Sequence, residues 1–289
     1  MKKWMVLFLA TVCVSFSGIF VRLADVAGFV SAFYRILFAF LVVLPAFLIR
    51  RKHNGFKDIA VCIVGGIVFG YELALWNMSV VLLNATIPTL LVNLSCIWIG
   101  AFSYFALKEK VGIAHWIGTI MALIGVVIII GYSSLLGLKL EKGVAFALAC
   151  SFLISVYTLI VKKARVRMDS VCVLFYTLSG SMLALIVWAL AGKVDLLPAS
   201  SRSWPYLIGL GVVVQGCGYL SINYALGYIS PTKVTVTLLL QPVFTGLLAA
   251  LLLHERLKDN QLLGGLVVLL GLAVSFMEFK KKGNTRLSE

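Results

Sequence analysis

The chain has 289 residues, of which 62% are hydrophobic and 12% charged, and its mean hydropathy is +1.07. Soluble globular chains run about 45–50% apolar and about 25% charged, so a water-soluble domain, a disordered tail and a nucleic-acid-binding module all fit poorly. The net charge of +14 sits in short Lys and Arg runs between apolar segments, which is the pattern of a polytopic membrane protein.

A hydrocarbon core about 30 Å thick takes about 20 apolar residues per helix. On that scale the sequence predicts ten spans, at 4–21, 30–49, 59–77, 84–106, 113–131, 143–162, 170–191, 204–224, 231–253 and 260–278. The first follows Met1-Lys2-Lys3-Trp4 and could pass for a signal peptide, but no A-x-A site follows, and it is read as a membrane helix because the internal repeat described below needs it. Charges and breakers mark the connections, among them Arg50–Gly55, Lys108-Glu109-Lys110, Ser133–Lys142, Lys162–Asp169 and Pro198–Ser203. None is long enough to fold as a domain. Cys13, Cys62, Cys96, Cys150, Cys172 and Cys217 all fall inside apolar runs without a CxxC pair, and are read as small core residues rather than disulfides or metal ligands.

With the N-terminus inside, seventeen Lys and Arg fall on the inner segments and seven on the outer ones; Arg35, within a span, completes the twenty-five. This bias predicts both termini in the cytoplasm and a cytoplasmic (inner) membrane location, with Lys280-Lys281-Lys282 anchoring a basic tail over 280–289.

The chain also repeats itself. A shift of 146 residues lays 59–130 on 205–276 without a gap: Gly65 on Gly211, Asn77 on Asn223, Gly100 on Gly246, Glu109 on Glu255, Gly118 on Gly264 and Gly125 on Gly271. A shift near 140 lays Thr11, Ser15, Gly18 and Arg22 on Ser151, Ser155, Thr158 and Lys162. The units are 1–132 and 143–279, five helices each. Five is odd, so the second unit enters the membrane upside down relative to the first. Inverted repeats are the architecture of alternating-access carriers, with a substrate site near the midplane at the repeat interface.

The end of the fourth helix of each unit carries a motif: a small-residue-rich span, then Leu107-Lys108-Glu109-Lys110 or Leu253-His254-Glu255-Arg256, then a Gly-punctuated helix. On this motif and the repeat, over about 4–278, the chain resembles the drug/metabolite transporter superfamily, in particular its bacterial ten-helix, two-repeat EamA type. Position 96 is Cys where the second copy has Pro242. The resemblance implies passage of small metabolites through a central cavity. It also implies that the Gly-rich helices five and ten, with Gly118, Gly125, Gly264, Gly265 and Gly271, form the repeat scaffold or dimer contacts.

Two ionisable residues lie inside spans, Arg35 in the second and Glu72 in the third. A charge at a helix centre costs about 2.5–3.5 kcal/mol on insertion scales, so each is expected to face a cavity or a partner. As function they read as a gate or a clamp for a zwitterionic substrate, with Glu72 also a proton carrier; as structure, as a buried ion pair or a snorkelling Arg35. Polar stripes at helical spacing add Thr11 and Ser15; Ser151, Ser155 and Thr158; Trp76 beside Glu72; Thr86, Thr89 and Asn93; Gln215, Tyr219 and Asn223; and Thr237, Gln241 and Thr245. The candidate substrate-binding set is Glu72, Trp76, Asn93, Tyr157, Gln215, Tyr219, Asn223 and Gln241. Small hydroxyls equally serve close helix packing. Asn77 and Asn223 hold equivalent helix-end positions and also read as repeat architecture or caps, and Glu109 and Glu255 as acids favouring the following helix N-terminus.

No phosphate loop, zinc helix or nucleophile elbow occurs, and the three His are scattered at helix ends, so no enzyme, metal site or cofactor is predicted. The expectation is an all-α integral membrane protein of ten helices in two inverted five-helix repeats. It would act as a secondary-active transporter of amino acids or related zwitterions, as a monomer or homodimer in the lipid bilayer, with protons as a coupling ion. The alternatives are a multidrug or organic-cation exporter and a non-transporting sensor or scaffold.

Overall fold

The computed structural model describes residues 1–50, 54–83, 86–108, 111–130, 142–197, 200–252 and 259–276. All regular structure in them is helical. Eight helices are long and apolar enough to cross a membrane: α1 (Lys2–Ala24), α2 (Gly28–Arg50), α3 (Phe56–Leu83), α6 (Lys142–Ala164), α7 (Ser170–Gly192), α8 (Ser201–Leu226), α9 (Pro231–Leu252) and α10 (Asp259–Phe276). Shorter apolar helices, Leu91–Leu107 and Ile113–Ile129, fill the two remaining predicted spans and belong to α4 (Thr86–Asn93 and Ser95–Leu107) and α5 (Ile113–Ile130). Local chemistry sets the ends where it can be read. Asp169, ahead of α7, accepts from the amides of Val171 and Cys172 at 2.9 and 3.0 Å, a side-chain N-cap.

The packing pattern is its own image when each helix is exchanged with the one five places on. The pairs α1–α8, α2–α8, α1–α9 and α2–α3 are matched by α6–α3, α7–α3, α6–α4 and α7–α8, while α2–α7, α4–α9 and α5–α10 map onto themselves. Two inverted five-helix repeats therefore interlock. One half of the molecule is α1, α2, α8 and α9; the other is α3, α4, α6 and α7; each takes helices from both repeats.

The α5–α10 seam is a backbone-to-backbone helix contact. A methyl group at Gly118 would collide with the backbone of Ser275 and Gly271, and one at Gly264 would stand 2.6 Å from Gly125 O and Ile129 N. Gly125 and Gly271 are as tight, so glycines from both repeats let the two backbones touch inside one chain. Large apolar side chains cover the outside, including Ile117, Ile120, Ile124, Leu262, Leu266 and Leu269, as a lipid-facing surface requires. Cys62, Cys96, Cys150 and Cys172 are buried as predicted, but Cys217 is exposed and Cys13 half-buried, so these two do not serve as core residues.

Both α4 and α9 are broken at matching places, α4 at Leu94 and α9 at Leu239-Leu240. At each break the chain tightens into three-residue hydrogen bonds, Leu94 N to Leu91 O and Leu240 N to Thr237 O, both 3.1 Å. Pro242 lacks the N–H that a continuous α9 would need. The first copy breaks without proline, and there Cys96 Sγ donates to the freed Asn93 carbonyl at 2.7 Å. Serines of the opposite repeat hold both breaks. Ser15 Oγ on α1 donates to Gln241 O, and Ser155 Oγ on α6 donates to Ser95 O, each at 3.3 Å.

Candidate functional site

A cavity of about 140 Å³ lies between the two halves. Val14, Ser17, Arg35, Tyr219, Thr235 and Gln241 line it from one side, and Glu72, Trp76, Asn93, Ser95, Tyr157 and Thr158 from the other. The helix breaks place Asn93, Ser95 and Gln241 on its wall, where interrupted backbone is tolerated because it borders a cavity rather than lipid.

Arg35 is 4% exposed and tied down. Its Nε donates to Gln215 Oε1 at 2.9 Å, its Nη1 to Ser17 Oγ at 3.2 Å, and its guanidinium lies 5.5 Å from the centre of the Tyr219 ring. From this position it lines the cavity. Glu72, 5% exposed, lines the opposite wall, and its carboxylate makes no hydrogen bond to a described residue. The expected pairing takes a looser form: among the described residues no direct ion pair joins Arg35 to Glu72. The two charges face one cavity from different halves of the molecule.

The register of α8 explains the neighbours of Arg35. Over Leu210–Tyr219 the helix winds in wider π turns, which departs from the regular spacing expected of Gln215, Tyr219 and Asn223. Tyr219 lines the cavity, whereas Gln215 is fully buried on Arg35 and Asn223 is fully buried beyond the lining. Phe69 spans the floor, its ring 4.6 Å from that of Tyr157 and 5.1 Å from that of Tyr219.

Beyond that floor the ends of α6 and α8 are clamped together. Lys162 Nζ donates to Leu226 O and Ile229 O, both at 3.0 Å. Arg165 Nε donates to Asn223 O at 2.8 Å, and its Nη1 to Met168 O. Two cations thus serve the carbonyl end of α8, where a positive charge is favoured. Gly227 has no side chain because Arg165 passes over it: a methyl there would stand 2.5 Å from the guanidinium.

Residues 1–131 and 141–277 each match the EamA-like transporter family. The chain belongs to that family. An uncharacterized transporter of Archaeoglobus fulgidus is 24% identical over 272 residues, 93% of this chain and 94% of that protein. An uncharacterized transporter of Clostridium kluyveri is 24% identical over 246 residues, 82% of this chain and 78% of that protein. One solved crystal structure has the same fold, with a TM-score of 0.81 over 95% of this chain and 96% of that one, at 20% identity. This EamA-family protein is a multi-pass membrane transporter.

Of the nine side chains singled out by sequence in the spans, Arg35, Glu72, Trp76, Asn93, Tyr157, Tyr219 and Gln241 reach the cavity wall, as does Thr158 from the hydroxyl stripes. Gln215 and Asn223 do not. Thr11, Ser15, Ser151 and Ser155 are buried and donate to main-chain carbonyls, the packing role open to small hydroxyls. Asn77 likewise donates to Leu73 O at 2.7 Å. The side chains of Thr86 and Thr89, together with Glu109, Glu255 and the 280–289 tail, lie outside the described residues. The sequence reading missed Ser17 and Thr235 on the wall and took Lys162 and Arg165 for orientation charges alone. Ser17 stands one helix face away from the Thr11–Ser15 stripe, and only the need of Arg35 for a partner would have pointed to it. No cluster of three or more metal-ligating side chains occurs among the described residues.

Proposed function

We propose that this transporter carries small zwitterionic metabolites, amino acids above all, by alternating access. The supporting observation is that one base and one acid face a single cavity from opposite halves of the molecule without a direct ion pair. A substrate carboxylate would bind the cavity-lining guanidinium of Arg35 through a charge-assisted hydrogen bond, and its ammonium would take Glu72. Bridging the two would draw the halves together over the substrate, so binding energy is coupled to closure. Rocking of α1, α2, α8 and α9 against α3, α4, α6 and α7, with the α5–α10 seam as the fixed element, would then open the site to each face in turn.

The cavity of about 140 Å³ is well below the roughly 300–1,000 Å³ of drug-sized sites, which favours a small metabolite. The aromatic wall of Trp76, Tyr157 and Tyr219 would suit an organic cation, but Arg35 in the same cavity opposes one. The Lys and Arg bias supports cytoplasmic termini in the cytoplasmic membrane. Among the described residues Glu72 is the buried, cavity-facing acid, which places it to carry a coupling proton.

A thermal-shift panel of amino acids, organic cations, nucleosides and sugars on purified protein tests the reading. A ligand at a hundredfold excess over Kd stabilises by about 2.7 kcal/mol. Amino acids alone should raise Tm, and Glu72→Gln should abolish both the shift and any dependence of transport on a pH gradient. A shift with organic cations alone would overturn the zwitterion assignment, and unchanged pH-gradient dependence in Glu72→Gln would remove the proton role.

A further inference from the structure

Beyond the Tyr157–Phe69–Tyr219 floor the halves close on a polar cluster without partners. Asn223 on α8 is fully buried, and neither its Nδ2 nor its Oδ1 has a hydrogen-bond partner. Tyr157 on α6 is 2% exposed, and its hydroxyl is also unpartnered. The two side chains and Thr177 face one another without closing a hydrogen bond, and Thr177 Oγ1 is committed to Leu174 O at 2.9 Å. Buried polar groups are almost always paired, and each one that is not calls for an explanation.

The clamp supplies the explanation. The main chain of Asn223 is held by Arg165, and the two following carbonyl contacts by Lys162, so α8 is drawn onto α6 where the Asn223 side chain is orphaned. Those helices belong to opposite halves of the molecule. Parting them at this end would uncover Asn223 and the hydroxyl of Tyr157, whose residue already lines the cavity. Opening would give these unpaired groups the partners that they lack in the closed form.

We propose that Asn223 and Tyr157 form a second polar subsite, shut in this conformation, which receives the carboxylate of the substrate when the α6–α8 seam opens at the Lys162/Arg165 end. The proposal rests on the small-zwitterion reading above and adds the stop between the Arg35–Glu72 cavity and that end. The charge around the cluster selects the ligand. Nδ2 of Asn223 and the Tyr157 hydroxyl are unused donors, with Lys162 and Arg165 beside them, whereas Asp169, which neighbours Arg165, is occupied as the N-cap of α7. Such a group suits an acceptor-rich anion.

Cysteine labelling tests the opening with no ligand. In the full-length protein with its six native cysteines replaced by alanine, Asn223→Cys should react slowly with a maleimide. Adding Lys162→Ala and Arg165→Ala should speed the reaction by at least about tenfold. No acceleration would overturn the opening, whatever becomes of the zwitterion reading.

Transport and stability then test the subsite. Tyr157→Phe and Asn223→Leu each remove unpaired buried groups, so each should raise Tm by about 2–4 °C. Asn223→Leu, off the cavity wall, should still give the wild-type thermal shift with a mixture of the protein amino acids, and both variants should lower counterflow of the same ¹⁴C-labelled mixture in proteoliposomes by about tenfold or more. Asn223→Asp reads the ligand's charge: it should abolish counterflow by opposing a carboxylate, and faster counterflow would assign the subsite to a cation. A lower Tm in both Tyr157→Phe and Asn223→Leu, or wild-type counterflow in them, would make the cluster purely structural. A wild-type protein with neither shift nor counterflow would fail the zwitterion reading and leave the labelling result standing on its own.

Discussion

The two repeats share a frame and divide on chemistry. Their broken helices match in position, and the serines that hold the breaks match in partner and distance, Ser15 to Gln241 O and Ser155 to Ser95 O. The first repeat, however, contributes the buried charges Arg35 and Glu72, where the second has Thr177, placed along α7 as Arg35 is along α2, and Gly218. The difference separates what the architecture demands twice from what the task demands once. Backbone geometry at the breaks and at the α5–α10 seam belongs to the first kind, and the charged cavity wall to the second.

The largest expected effects test the shared frame. Gly118→Val and Gly264→Val, mates under the 146-residue shift, should each cost about 3 kcal/mol or more, because a side chain at either meets backbone that cannot yield. Thermal unfolding in detergent measures both, and a protein that tolerates one but not the other breaks the equivalence. Arg35→Gln tests the divergence. It should weaken amino-acid binding by about tenfold or more, while Thr177→Val, at its mate, leaves binding unchanged; equal losses would mean that the charge acts only through the fold.

Smaller effects sharpen the picture of the breaks. Ser15→Ala and Ser155→Ala should destabilise by similar amounts, about 0.5–1.5 kcal/mol each. Pro242→Ala should cost less than about 1 kcal/mol and leave α9 interrupted, since α4 breaks with Cys96 in the same place. Amide exchange around 239–242 reads the second: protection rising to the level of the helix interior would show that proline alone makes the break.

Most of the fold was legible because its rules are coarse. Span length, the Lys and Arg bias and an odd number of helices per repeat need only composition and spacing, and the long apolar runs at 4–21, 30–49 and 170–191 left little choice. The break in α4 was not legible, because it depends on a thiol reaching Asn93 O and on Ser155 arriving from the other repeat, both tertiary facts. Within the site, Glu72, Trp76 and Tyr157 could be picked out by the cost of burying them in a membrane helix. Gln215 and Asn223 were mis-aimed for a specific reason: a regular helical wheel was drawn through residues that wind as π turns. The Lys162–Arg165 clamp escaped notice because two cations at a helix end already had an explanation in topology. Their reach to carbonyls more than fifty residues away has no local signature.

The interlocking of the repeats has a consequence for how the protein is made. Each half of the molecule takes two helices from the first repeat and two from the second, and α5 meets its glycine-lined counterpart only when α10 arrives. A ribosome that has delivered α1 to α5 has therefore supplied parts of both halves and completed neither. Arg35 is then in the bilayer without Gln215, and α5 has no seam to close. Biogenesis must hold these five helices in a loose, inserted state until the second repeat threads between them, so assembly of the structure waits for the end of synthesis rather than proceeding repeat by repeat.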